Sequence, residues 1–130
     1  MTAIMLVAVS AFAAPASAAP TTICKSSPIP AGYVILGEGS SGSCPGSFPN
    51  TWTIDTPSTT GTTVICKVSP LPSGYVILGE GSSGSCPGSF PNTWTIRVPS
   101  TTGTTVICKV SPLPSGYVIL GEGSSGSCPG

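Results

Sequence analysis

The chain has 130 residues, with four Lys or Arg against four Asp or Glu and no His. So sparse and balanced a charge excludes the basic patch that nucleic-acid binding requires. The missing His rules out Ser-His-Asp and Cys-His catalysis. Low charge beside 17 Gly and 15 Pro would suit disorder, but runs of Val, Ile, Leu and Tyr argue for packed structure.

The chain opens with an apolar stretch, Ala3 to Ala14, followed by Pro15 and the small-x-small run Ala16-Ser17-Ala18. It is shorter than the roughly 20 apolar residues of a membrane span. It reads as a secretory signal peptide over residues 1–19, cut near Ala18 or Ala19. No Lys or Arg precedes it, which points to a start codon that is misassigned or lies upstream.

Beyond the leader the chain is a tandem repeat. The Cys positions recur at an interval of 42 residues (24, 66, 108 and 44, 86, 128). The units run 20–61, 62–103 and 104–130, the last without the Phe-Pro-Asn-Thr-Trp-Thr-Ile segment of the other two. The array reads either as a two-strand start and then two strand–linker–strand–strand modules, or as a piece of a longer array. Each unit starts with a strand signal, clearest in Thr62 to Val68, where Val64, Cys66 and Val68 share one face and Thr63, Ile65 and Lys67 the other. Val106, Cys108 and Val110 repeat it, whereas Thr22, Cys24 and Ser26 offer a more polar face, as a terminal repeat would. Ser-Pro-x-Pro comes next, from Ser27, Ser69 and Ser111. Its prolines forbid both helix and ladder-paired strand, so an extended crossing is expected with Ile29, Leu71 and Leu113 turned inward.

The second strand is Gly32 to Glu38, repeated from Gly74 and Gly116. Its unbroken Tyr-Val-Ile-Leu run predicts a strand covered on both faces. A Gly/Ser turn leads to the second Cys. Thr51 to Asp55 and Thr93 to Arg97 alternate as third strands, with Trp52 and Ile54 on one face in the first copy. Pro57 to Thr62 is a polar connector open to O-glycosylation. No segment beyond the leader has helical periodicity. The expected fold is therefore all-β: tandem disulfide-stapled units of about three short strands each, individually too small to fold unaided.

An even Cys count in an exported chain implies disulfides. Equivalent units should bond alike, which leaves two schemes. Bonds within units join Cys24–Cys44, Cys66–Cys86 and Cys108–Cys128. Bonds between units would join Cys44–Cys66 and Cys86–Cys108, stranding Cys24 and Cys128. The first is preferred because it leaves no thiol over. Cys pairs 20 residues apart with no His do not make a zinc site, and no cofactor is implied.

Glu38, Glu80 and Glu122 occur once per unit, whereas glycosidases need two carboxylates about 5–10 Å apart. No catalytic residue is assigned and no enzyme is expected. Lys25, Lys67 and Lys109 should form cross-strand ion pairs with these Glu. Lys67, Asn92 and Glu80 also have the residue types of a Lys–Asn isopeptide crosslink, which needs a buried acid. Trp52, Trp94, Tyr33, Tyr75 and Tyr117 are candidate ligand contacts of the kind that stack on sugars, though a Trp at an alternating strand position also suits a core.

The pattern Cys-x-x-Ser-Pro-x-Pro-x-Gly-Tyr-Val, with Gly and Ser and a second Cys after it, resembles small secreted bacterial tandem-repeat proteins of uncharacterised function. That resemblance implies an exported, bacterial protein and supplies no activity. The expectation is a structural or adhesive role at the cell exterior, secreted, periplasmic or on the surface, with self-association or a cell-surface glycan as partner. A glycan- or surface-ligand-binding module is the alternative. Neither nucleic acid nor, after leader cleavage, membrane is expected as a partner.

Overall fold

The structure, a computed structural model, describes residues 19–130. Of the expected leader, 1–19, all but Ala19 lies outside the described residues. Six strands form: β1 (Thr21–Cys24), β2 (Val34–Gly39), β3 (Thr51–Asp55), β4 (Thr63–Cys66), β5 (Val76–Gly81) and β6 (Thr93–Arg97). They make two antiparallel sheets, ordered β1-β3-β2 and β4-β6-β5. The last strand of each complete unit is thus the middle one, pairing with both others. Its Thr-Trp-Thr-Ile sequence suits that place, since β-branched and aromatic side chains pack well on a pleated surface flanked on both sides.

Register repeats from sheet to sheet. Cys24 opposes Thr51 and Ile23 opposes Trp52, as Cys66 opposes Thr93 and Ile65 opposes Trp94. On the other flank, Ile35 opposes Ile54 and Glu38 opposes Trp52, with a bulge between Ile35 and Gly37. A bulge bends a strand and re-aims its polar groups. Beyond this one, the Glu38 N–H donates to the Ser85 carbonyl of the next unit at 2.8 Å.

All three disulfides lie within units: Cys24–Cys44, Cys66–Cys86 and Cys108–Cys128. The second and third also close the cores of their neighbours. Ile35 and Ile54 of the first unit are buried with Cys66 and Cys86 of the second. Ile65, Tyr75, Ile77 and Ile96 of the second are buried with Cys108 of the third, and Cys128 packs against them. A three-stranded sheet of this size cannot exclude water from both faces by itself. The cystine of the following unit supplies the missing cover.

Both junctions use the same contacts, shifted by one repeat. The Ile35 N–H donates to Ser69 Oγ at 2.8 Å and the Ile77 N–H to Ser111 Oγ at 2.8 Å. The Glu80 N–H donates to the Ser127 carbonyl at 2.7 Å. The oxidised sulfurs of Cys86 and Cys128 rest 3.8 Å from the Leu36 and Leu78 carbonyl oxygens. A Cβ added to Gly37 would come within 3.2 Å of Ser85 Cβ, and one on Gly79 within 3.1 Å of Ser127 Cβ. Glycine is needed here because the next unit lies so close.

Two expectations are corrected. The alternation of Val64, Cys66 and Val68 against Thr63, Ile65 and Lys67 does not sort burial: Val64 and Val68 are exposed, while the adjacent Ile65 and Cys66 are both buried. β4 lies against β2 as well as in its own sheet, so Ile65 enters one core cluster and Cys66 the other. Alternation presumes one buried face, and this strand has two. In the third unit no strand forms among the described residues. The segments equivalent to β4 and β5 are present, but the described residues include no segment equivalent to β3 or β6 to pair with them.

Candidate functional site

The feature that each complete unit presents to solvent is a Lys-Glu-Trp cluster. Cross-strand register brings the Glu opposite the Trp. The Lys comes directly after the first Cys of its unit, one residue beyond the end of β1 or β4. Lys25 Nζ lies 2.6 Å from Glu38 Oε1 and 4.2 Å from the centre of the Trp52 ring. Lys67 Nζ lies 2.6 Å from Glu80 Oε1 and 4.1 Å from the Trp94 ring. The expected cross-strand ion pairs therefore form, and the indole face adds a cation–π attraction. Lys109 and Glu122 also pair, at 2.7 Å, but with no Trp over them they are 78% and 77% exposed, against 28% and 19% for Lys67 and Glu80.

The Gly/Ser loop beside this cluster is held by a buried Asn. Asn50 Nδ2 donates to the carbonyls of Ser41 and Cys44 at 2.9 and 2.8 Å, and Oδ1 accepts from the Ser41 N–H at 2.8 Å. Asn92 does the same with Ser83 and Cys86. Every hydrogen-bonding position of these amides that faces the loop is occupied by backbone. The isopeptide expectation is corrected on that account: the Asn92 amide belongs to its loop and Lys67 to Glu80.

The candidate aromatic contacts are scattered through distinct environments. Trp52 and Trp94 are half-buried on separate sheets, each with one ring face taken by a Lys ammonium. Tyr33 and Tyr117 are half-buried. Tyr117 donates to the Pro99 carbonyl at 3.3 Å. Tyr75 is a core residue whose hydroxyl donates to the carbonyls of Ser58, at 3.0 Å, and Pro57, at 3.3 Å. Burial raises its phenol above the usual 10.0. Among the described residues the most exposed aromatics are Phe48 and Phe90, at 64% and 65%. Sequence reasoning passed over them, although an aromatic set in a turn before Pro-Asn was the available signal.

The connector Pro57 to Thr62 folds back on itself. Ser58 Oγ accepts from the N–H groups of Thr60 and Gly61, and Thr63 Oγ1 accepts from the Ser58 N–H. Among the described residues, no group of three or more His, Cys, Asp or Glu gathers, and no helix is long and apolar enough to cross a membrane. Disulfide bonding of all six Cys belongs to an oxidising compartment.

The fold and site together define an all-β array of repeated, disulfide-bonded small sheet units. No protein-family model, curated protein or solved structure matches the chain.

Proposed function

We propose that the chain is an exported, bacterial, non-catalytic repeat protein with a structural or adhesive role outside the cell. The observation that carries this reading is the repetition of the junction. Glu38 to Ser85 and Glu80 to Ser127 are the same hydrogen bond one unit apart, so the units stack head to tail by a fixed step. A head-to-tail contact that does not close on itself propagates. Edge strands of such small sheets pair readily between chains. The test is sedimentation of the oxidised protein over a wide concentration range with no ligand present. Assembly that grows with concentration and is lost on reducing the disulfides supports the reading. A monomer at every concentration that also fails to adhere to cells overturns it.

Exposed Phe48 and Phe90, with the neighbouring Trp52 and Trp94, favour a second reading, a module for a cell-surface glycan. Saturable, competable glycan binding that is lost in Trp52→Ala and Trp94→Ala would select it.

A further inference from the structure

The two connectors between units read Pro-Ser-Thr-Thr-Gly-Thr, at 57–62 and 99–104, and lie outside every strand. Each is a turn with a fixed base. The Tyr75 hydroxyl, from the core of the second unit, donates to the Pro57 and Ser58 carbonyls. The Tyr117 hydroxyl of the third unit donates to the Pro99 carbonyl. Inside the turn, Ser58 Oγ accepts from the Thr60 and Gly61 N–H groups at 3.2 and 2.8 Å. Ser100 Oγ accepts from Thr102 and Gly103 at 3.2 and 3.0 Å. Thr63 Oγ1 and Thr105 Oγ1 close the turn, accepting from the Ser58 and Ser100 N–H groups at 2.9 and 3.0 Å.

The hydroxyls thus fall into two sets. Ser58, Thr63, Ser100 and Thr105 are half-buried and hold the turn together. Thr59, Thr60, Thr62, Thr101, Thr102 and Thr104 are exposed. Of these, Thr102 Oγ1 lies 3.5 Å from Ser100 Oγ, and among the described residues none is spent on backbone. The division is the same at both connectors, although two described units follow the first and one follows the second. It is therefore a property of the connector and not of whatever flanks the array.

We propose that the six exposed threonines are sites of O-glycosylation and that Ser58, Thr63, Ser100 and Thr105 are not. Clustered Thr and Ser beside Pro is the composition of stalks that carry O-linked sugar, and surface loops tolerate such additions. The co-reactant is a sugar activated at its anomeric carbon by a phosphate, of a nucleoside diphosphate or of a lipid carrier, and presented by a separate transferase. The Thr Oγ1 attacks that carbon as its bond to the phosphate oxygen breaks. The phosphate leaves with the electron pair, and the hydroxyl proton passes to a base of the transferase. Sugar on an exposed Thr costs no native contact, whereas sugar on Ser58 or Thr63 would crowd the turn that each of them closes. The inference rests on the exported reading above, because chain and transferase must meet on the export route. Sugar would then recur along the array at 42-residue steps.

The test takes the oxidised chain as the cells that make it release it, with intact mass giving the total sugar and electron-transfer fragmentation giving the sites. Mass steps of whole sugars are expected, all on the six threonines. Thr59→Val, Thr60→Val and Thr62→Val together should remove every sugar from the first connector, leave those of the second and retain all three disulfides. Ser at the same three positions should keep the sugar. An extracellular chain with bare connectors overturns the proposal and leaves the exported reading standing. A bare chain found only inside the cell overturns both. Sugar on Ser58, Thr63 or the Gly/Ser loops in place of the six threonines overturns the assignment, as does sugar on the first connector that survives the Val substitutions.

Discussion

Asn92 binds Ser83 at both of its backbone polar groups, accepting from the N–H at 2.8 Å and donating to the carbonyl at 2.9 Å. The same amide donates to Cys86, so one side chain fixes the loop that carries the second Cys of the disulfide. Asn92→Ala strands buried backbone groups, and a cost of about 3 kcal/mol is expected. Asn92→Asp should be no rescue, because a carboxylate would face the two carbonyls that the amide now satisfies. Urea denaturation of the oxidised protein measures both.

Gly37, Gly79 and Gly121 are equivalent in sequence but not in surroundings. Ser85 and Ser127 close over the first two, while nothing lies near the third. Gly37→Ala and Gly79→Ala should each cost about 1–2 kcal/mol through overpacking of a junction. Gly121→Ala should stay within about 0.5 kcal/mol. Hydrogen exchange at Glu38 and Glu80 reports the junctions directly, and equal effects at all three glycines would refute the stacking scheme.

Tyr75 gives the fold an alkaline limit. Its buried phenol holds a proton above the usual 10.0. The unfolded chain releases that proton first, so the stability this group contributes is complete below about pH 10 and is lost as pH rises through the folded value. Tyr75→Phe should lower stability by about 1 kcal/mol at neutral pH by removing the bonds to Pro57 and Ser58. It should also flatten the alkaline decline. Thermal melts of both proteins across about pH 9 to 12 compare the slopes.

The disulfides should not be equivalent. Each closes a loop with a sequence separation of 20, so chain entropy alone assigns about 3 kcal/mol to every one. Cys66 and Cys86, however, also seal the core of the first unit, while Cys24 and Cys44 are only half-buried. Replacing Cys66 and Cys86 by Ala should therefore destabilise more than replacing Cys24 and Cys44, with Ile35 and Ile54 losing exchange protection. Equal losses from the two double variants would show that the sulfur atoms seal nothing.

Much of the fold was legible in the residues. Thr51 to Asp55 and Thr93 to Arg97 alternate cleanly, and they are strands with those bounds. Tyr-Val-Ile-Leu has no polar face, and Val34 and Ile35 do enter different core clusters. Ile29 and Leu71 pack inward as the Pro spacing suggests, but Leu113 is exposed. The burial of Ile65 beside Cys66 was not legible, since the cause is a neighbouring unit and no local pattern encodes it. Asn50 and Asn92 read only as turn residues, because the groups that they satisfy are backbone and leave no mark in composition. The aromatic candidates were found as residue types, but Tyr75 is spent on the core and Phe48 and Phe90 carry more open surface.

Because the Glu–Ser, Ile–Ser and sulfur–carbonyl contacts across one junction reappear across the next, the array has no privileged middle. Deleting or duplicating a 42-residue stretch in frame within the repeats restores the same seam of contacts. Slippage between near-identical gene segments would therefore lengthen or shorten the molecule in whole steps, without a frustrated boundary to be selected against.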